Sequence, residues 1–104
     1  MVKYEVLMET SAEADLFGIL EYITNTLKAP VNAKRTYVTI REKLSTLETM
    51  PQRNRIIDEE PYKSMGIRPL YIENFIAFYD VDEDAHEVHV LRVVYNRRQW
   101  QNLL

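Results

Sequence analysis

The sequence predicts an α+β protein with the element order β-α-α-β-β-β. After one short alternating segment, apolar residues recur at helical spacing through the first half of the chain. From Ile67 onward the apolar period changes to two, in three short segments separated by turn residues. We therefore expect an N-terminal strand, an antiparallel helical hairpin packed on a small antiparallel sheet, and a C-terminal three-stranded meander.

The first half of the chain predicts one strand and two helices. Residues 2–9 alternate, and Thr10 and Glu13 have the spacing of a capping box, so a helix is expected over residues 10–28. Pro30 suits the first turn of a second helix, which residues 50–51 end. The stripes that would pack the helices together are Leu16, Ile19, Leu20, Ile23 and Leu27 on the first and Ala33, Tyr37, Ile40, Leu44 and Leu47 on the second.

The second half predicts a polar connector and three strands. The connector covers residues 52–66, and the expected strands cover residues 67–72, 75–81 and 86–95. Pro69 indicates an edge strand or a bulge, because proline cannot donate to a strand ladder. The strands lie close together in sequence, which favours an antiparallel meander.

Composition places the chain among ordinary globular proteins. Its 104 residues are 46% hydrophobic and 28% charged, so we expect one domain, residues 1–104. The lack of cysteine excludes disulfides and cysteine nucleophiles. We expect a cytoplasmic protein without membrane association, because no apolar run has the length of a signal peptide or a membrane span. His86 and His89 lack a third ligand, so neither a metal site nor a cofactor is expected.

The last predicted strand runs into RVVYNRRQW, residues 92–100. The planar fork of arginine matches two phosphate oxygens. Aromatic rings can stack on nucleic-acid bases, and each stacked base contributes about 1–3 kcal/mol to binding. If this segment acts on or binds a target such as a nucleic acid or a partner protein, the candidate catalytic or target-binding residues are Arg97, Arg98, Arg68, Arg92, Tyr95 and Trp100. The alternative for Arg97 and Arg98 is a solvated sheet end, and the alternative for Arg92 is a cross-strand pair with an acid such as Asp80.

The order and spacing of these segments resemble the RelE/ParE superfamily, the toxins of type II toxin–antitoxin modules, which include plasmid stabilization system proteins. The resemblance covers almost the whole chain. The matching segments are Ala14-Asp15-Leu16, Glu21-Tyr22-Ile23, Ala33, Leu47, Met50-Pro51, Gly66-Ile67-Arg68, residues 73–79 and residues 90–98. Tyr95 and Asn96 stand where histidine and glycine are common in the family.

The resemblance implies a growth-arresting toxin that a cognate antitoxin holds inactive, with a homodimer or a hetero-oligomer as possible assemblies. RelE-like members cut messenger RNA on the ribosome, as metal-independent endoribonucleases, and ParE-like members act on DNA gyrase. A degenerate member would retain only antitoxin binding. The expected antitoxin contacts are Phe17, Leu27, Tyr37, Leu103 and Leu104.

Two departures from the RelE-like pattern favour the gyrase interpretation. RelE-like nucleases carry an arginine early in the middle meander strand, and the matching place here is Ile76. RNA cleavage also needs a base for the 2′-hydroxyl, and no side chain stands out as that base. The sequence leaves gyrase and messenger RNA open as targets.

Overall fold

The computed structural model describes residues 2–96, whose strands and two long helices follow the predicted order, with one additional short helix in the predicted connector. The strands are β1 (Glu5–Met8), β2 (Arg68–Ile72), β3 (Phe75–Asp82) and β4 (Glu87–Tyr95). The helices are α1 (Thr10–Glu21), α2 (Pro30–Ser45) and the short α3 (Tyr62–Met65). A π-helical turn, Tyr22–Thr26, extends α1, and 3₁₀ turns follow α2 at Thr46–Glu48 and Pro51–Arg53. No helix in this part of the chain has the length and hydrophobicity to cross a membrane.

The strands form one mixed sheet in the order β1-β4-β3-β2. Strands β2, β3 and β4 form the predicted antiparallel meander. Strand β1, however, lies parallel to β4, with Val6 opposite Val88. The predicted α+β class is confirmed, and the sheet, expected to be antiparallel, is mixed because β1 joins it in the parallel direction. Alternation of apolar residues specifies the buried face of a strand, but it carries no information about the direction of the neighbouring strand.

The start of α1 differs from the predicted capping box. Glu9 is the N-cap residue, its backbone is extended, and no side chain caps the helix. The backbone N–H of Glu13 donates to the Glu9 carbonyl at 3.0 Å. Pro30 opens α2 as predicted. Gly66, with φ of 70°, ends α3 in the left-handed region that glycine adopts without strain.

The main core lies between the helical hairpin and the sheet. Its most deeply buried members are Ala12, Ile40, Leu47, Ala77, Tyr79, Val88 and Val90. A second group, which we call the outer cluster, is Ile67, Ile76, Phe78 and Val94. Ile57 and Tyr62, from the segment between α2 and β2, pack against the outer cluster. This segment therefore covers the sheet face opposite the hairpin, which explains why β3 is buried continuously from Phe75 to Tyr79.

A β-bulge in β4 divides the strand into two parts with opposite alternation. Tyr79 pairs with Val90 and Phe78 pairs with Arg92, so Leu91 is the extra residue. Val90 faces the main core before the bulge, whereas Val93 does so after it. Because of the bulge, apolar side chains on both parts of β4 face the helical hairpin.

Candidate target-binding and partner-binding surfaces

Arg92 forms a two-bonded ion pair with Asp15 on α1. The Arg92 Nε donates to Asp15 Oδ2 at 2.7 Å, and its Nη2 donates to Oδ1 at 3.0 Å. The carboxylate raises the pKa of the Arg92 guanidinium, which stays protonated. The alternative pair with Asp80 is therefore wrong, because α1 brings an acid closer than the neighbouring strand does. Asp80 contacts His89 instead.

Asp15 also accepts a hydrogen bond from the backbone of β4, at the part of the sheet edge that β1 does not reach. The pairing of β1 with β4 extends only to Met8 and Val90, so β4 continues beyond β1 without that neighbour. The backbone N–H of Val93 lies in this part of β4 and donates to Asp15 Oδ2 at 3.0 Å. A side chain thus satisfies a main-chain donor that would otherwise stay unpaired at a partly buried edge.

Arg68 holds the segment that follows α2. Its Nη1 donates to the backbone carbonyls of Asn54 at 2.6 Å and Gln52 at 3.1 Å. Nearby, the buried Tyr79 hydroxyl donates to the Pro51 carbonyl at 2.7 Å, and burial raises the pKa of this phenol. Arg68 therefore has a structural role in the free chain.

Two clefts lie beside the end of β4, and the Arg92–Asp15 pair contributes one residue to each. The larger, of about 530 Å³, is lined by Glu9, Ser11, Pro61, Tyr62, Met65, Ile67, Leu91 and Arg92. The smaller, of about 330 Å³, is lined by Ala14, Asp15, Gly18, Ile19, Tyr22, Val93, Val94 and Tyr95. The Tyr95 ring packs against Phe75 with ring centres 4.8 Å apart, which orients it at the end of the strand.

The candidate target-binding residues do not form one cluster in the described part of the chain. Arg68 contacts the segment after α2, whereas Arg92 contacts α1 and Tyr95 contacts β3. The remaining candidates, Arg97, Arg98 and Trp100, lie outside the described residues. Sequence reasoning missed Asp15 as the partner of Arg92, although the matching segment Ala14-Asp15-Leu16 contains it.

His89 lies between two carboxylates on the sheet face opposite the hairpin, where all three side chains are partly exposed. Its Nε2 is 3.0 Å from Glu87 Oε1, and its Nδ1 is 2.9 Å from Asp80 Oδ1. The hydrogen bond to Glu87, followed by that to Asp80, raises the pKa of His89 above its usual 6.5. Glu5 and Asp82 stand opposite Glu87 in the strand register, so this part of the sheet is acidic.

Replacing His89 with glutamine is expected to lower stability more at pH 6 than at pH 8. A raised folded-state pKa contributes stability that is complete below the unfolded value and is lost as the pH rises through the folded value. The difference should be about 0.5–1 kcal/mol, because the three side chains are partly exposed. Urea unfolding at both pH values measures it. In an Asp80→Asn/Glu87→Gln background the pH dependence of His89→Gln should vanish, and its persistence would contradict the ion-pair assignment.

The helical hairpin carries a groove between α1 and α2. It has a volume of about 360 Å³ and is lined by Met8, Glu13, Leu16, Phe17, Leu20, Tyr37 and Arg41. Phe17 is 67% exposed and Tyr37 42% exposed, and Leu27 beyond the groove is 56% exposed. These three predicted antitoxin contacts are therefore accessible, whereas Leu103 and Leu104 lie outside the described residues.

The fold defines the chain as an α+β protein of the RelE/ParE type, with a strand, a helical hairpin and a meander in one mixed sheet. Residues 6–100 match the family described as the ParE toxin of type II toxin–antitoxin systems, parDE. This match covers most of the chain, which therefore belongs to the ParE toxin family. The predicted resemblance to the RelE/ParE superfamily is confirmed.

Solved structures of toxin–antitoxin systems share this fold. A chromosomal ParDE system from P. aeruginosa is 23% identical over 91% of this chain and 98% of that chain, with a TM-score of 0.73. A RelBE complex from Mycobacterium tuberculosis is 24% identical over 91% and 93%, with a TM-score of 0.69. An archaeal RelE–RelB complex from Pyrococcus horikoshii is 16% identical over 94% and 99%, with a TM-score of 0.55. Comparison with curated protein sequences returned no match.

Proposed function

We propose that the chain is a toxin that arrests growth by binding DNA gyrase, and that a cognate antitoxin holds it inactive. The observation that carries the choice of target is Ile76. RelE-like nucleases have an arginine at the matching place, but here the side chain is apolar, 1% exposed and part of the outer cluster. This position contributes no charge to a phosphate group.

The partners of the other polar candidates also support a binding role over RNA cleavage. The guanidinium groups of Arg68 and Arg92 bond to groups of the chain itself. His89 is bonded to Glu87 and Asp80 within an acidic part of the sheet, which would repel an RNA backbone. We assign target binding to the end of β4, where Tyr95 leads into Arg97 and Arg98.

We assign antitoxin binding to the exposed apolar residues of the hairpin. Phe17 and Tyr37 line the groove between α1 and α2, and Leu27 lies beyond the end of α1. A groove of this kind accepts the apolar face of an amphipathic helix. The related solved structures are toxin–antitoxin systems, in agreement with such a partner.

The decisive experiment compares the wild-type chain with an Arg97→Ala/Arg98→Ala variant, each expressed without antitoxin. We expect wild type to reduce colony counts and to inhibit supercoiling by purified gyrase. The variant should bind gyrase about 100-fold more weakly, because two charge-assisted contacts are lost. A Lys3→Ala/Arg55→Ala variant removes the same charge from exposed positions and should behave as wild type.

Two outcomes would contradict the proposal in different ways. New messenger 5′ ends together with unaffected supercoiling would show that the chain is a RelE-like endoribonuclease. Normal growth with abundant folded wild-type protein would instead indicate a degenerate member that retains only antitoxin binding. Co-purification with the antitoxin, measured separately, distinguishes this second case from a misfolded chain.

A further inference from the structure

Helix α1 presents a stripe in which two carboxylates flank an aromatic ring. Glu13, Phe17 and Glu21 follow one another at intervals of four residues, so they lie on one side of the helix, and all three are exposed. Helix α1 contains no lysine or arginine. Its exposed side is therefore negative at both ends and apolar in the middle.

Helix α2 presents the reverse pattern, with two cations flanking an aromatic ring. Lys34, Tyr37 and Arg41 lie on one side of α2 and are exposed. The guanidinium carbon of Arg41 is 6.0 Å from the centre of the Tyr37 ring, which keeps this charge beside the ring. Within residues 2–96, neither Lys34 nor Arg41 forms an ion pair with an acid of its own chain.

The two stripes run in opposite directions along one groove. Glu13, Phe17, Tyr37 and Arg41 all line this groove. Because α1 and α2 form an antiparallel hairpin, we expect Glu13 and Arg41 at one level of the groove and Phe17 and Tyr37 at the next. We propose that a second copy of this chain occupies the groove of the free protein, in a two-fold symmetric dimer. If the two-fold axis is parallel to the helices, each helix keeps its direction in the second copy. Helix α1 of one copy then packs against α2 of the other and runs antiparallel to it. The contacts expected across this axis are Glu13 with Arg41, Phe17 with Tyr37, and Glu21 with Lys34.

Charge identifies a second copy as the occupant. An acidic partner would be attracted by α2 but repelled by α1. A basic partner would be attracted by α1 but repelled by α2. A copy of the chain is complementary to both helices at once, and its exposed rings meet at the centre, where they leave water. The four helices would then form a bundle, a common way to bury two amphipathic hairpins.

The dimer has a regulatory consequence for the proposed function. It covers Phe17 and Tyr37, which we assign to the antitoxin, so antitoxin binding and self-association exclude each other. The end of β4 lies outside the groove. The dimer itself does not depend on the choice of gyrase as target, and it can be tested without either partner.

Charge reversal in two separate chains tests the dimer. In the refolded full chain, measured by sedimentation velocity, Glu13→Arg and Arg41→Glu should each weaken dimerisation about tenfold, since each places like charges at two symmetric contacts. An equimolar mixture of the two variants should associate as tightly as wild type, because every one of these contacts then joins opposite charges. A general folding defect cannot produce this recovery on mixing.

Three further measurements complete the test. A Lys3→Glu control should dimerise as wild type, and added salt should weaken the wild-type dimer. Phe17→Ala should weaken the dimer, while its melting temperature should equal that of wild type at concentrations low enough for both to be monomeric. A wild-type chain that stays monomeric at all accessible concentrations would overturn the proposal, as would a mixture that does not recover association. If the reversals weaken only antitoxin binding, the groove belongs to the antitoxin and the dimer does not form.

Discussion

Replacing Ile76 with arginine is expected to lower the free energy of unfolding by about 4 kcal/mol or more. Ile76 is 1% exposed and packs in the outer cluster with Phe78 and Val94. A guanidinium at this place would lose its hydration without gaining a carboxylate, and the longer side chain would not fit the packed cluster. Since small domains are stable by only about 5–15 kcal/mol, this loss removes a large part of the stability, and the variant should unfold at a much lower denaturant concentration than wild type. Guanidinium chloride unfolding followed by circular dichroism measures the effect.

The conservative variant Ile76→Val provides the control, with an expected loss of about 1 kcal/mol. An arginine variant that folds with nearly wild-type stability would show that position 76 is accessible from the surface. Such accessibility would remove the main support for gyrase over messenger RNA. The same variant would then be a direct test of acquired RNA cleavage.

Replacing Asp15 with alanine is expected to lower the free energy of unfolding by about 3 kcal/mol. Two losses contribute. The partly buried Arg92 guanidinium loses both bonds to its carboxylate, and the Val93 N–H loses its acceptor at the uncovered edge of β4. Urea unfolding gives the change directly, and hydrogen exchange at Val93 should become much faster.

Matched variants separate these two losses. Asp15→Asn keeps an oxygen that can accept from Val93 but removes the charge, so its effect should be about half as large. Glu42→Ala removes an exposed acid of α2 whose carboxylate has no assigned contact in the described part of the chain, and it should change stability by about 0.5 kcal/mol or less. If Asp15→Ala is as mild as Glu42→Ala, the ion pair does not hold α1 on the strand edge.

Periodicity predicted most of the fold because each element has one dominant pattern. The stripes of α1 and α2 and the alternation of the meander specify which side of each element is buried. Two features escaped this reasoning. The first is the direction of β1, which is set by its pairing with β4, far away in sequence. The second is the burial of the other face of β3, which is covered by residues such as Ile57 from a segment whose sequence is mostly polar.

The site residues were less predictable, because the partner of a charged side chain depends on tertiary distance. Arg92 sits among apolar residues, which correctly indicated that it points away from the main core. Its partner could not be deduced, since Asp80 is near in the strand pattern and Asp15 becomes near only after α1 packs on β4. For Arg68, its place in the meander suggested that it could converge with the other arginines on a target, but the described structure shows backbone carbonyls as its acceptors.

The parallel pairing of β1 with β4 makes completion of the sheet a late event in protein synthesis. The pairing of β1 with β4 places Glu5 opposite Glu87, roughly 80 residues further along the chain, so it cannot form until that residue has been synthesised. Because the ribosome releases the N-terminal part first, β1 and the hairpin emerge while their docking strand is still unmade. A nascent chain interrupted before residue 87 lacks both β4 and the Arg92 that ties it to α1. The apolar sides of the hairpin are thus exposed during translation, when a co-translationally binding partner or a chaperone would meet them before any active toxin exists.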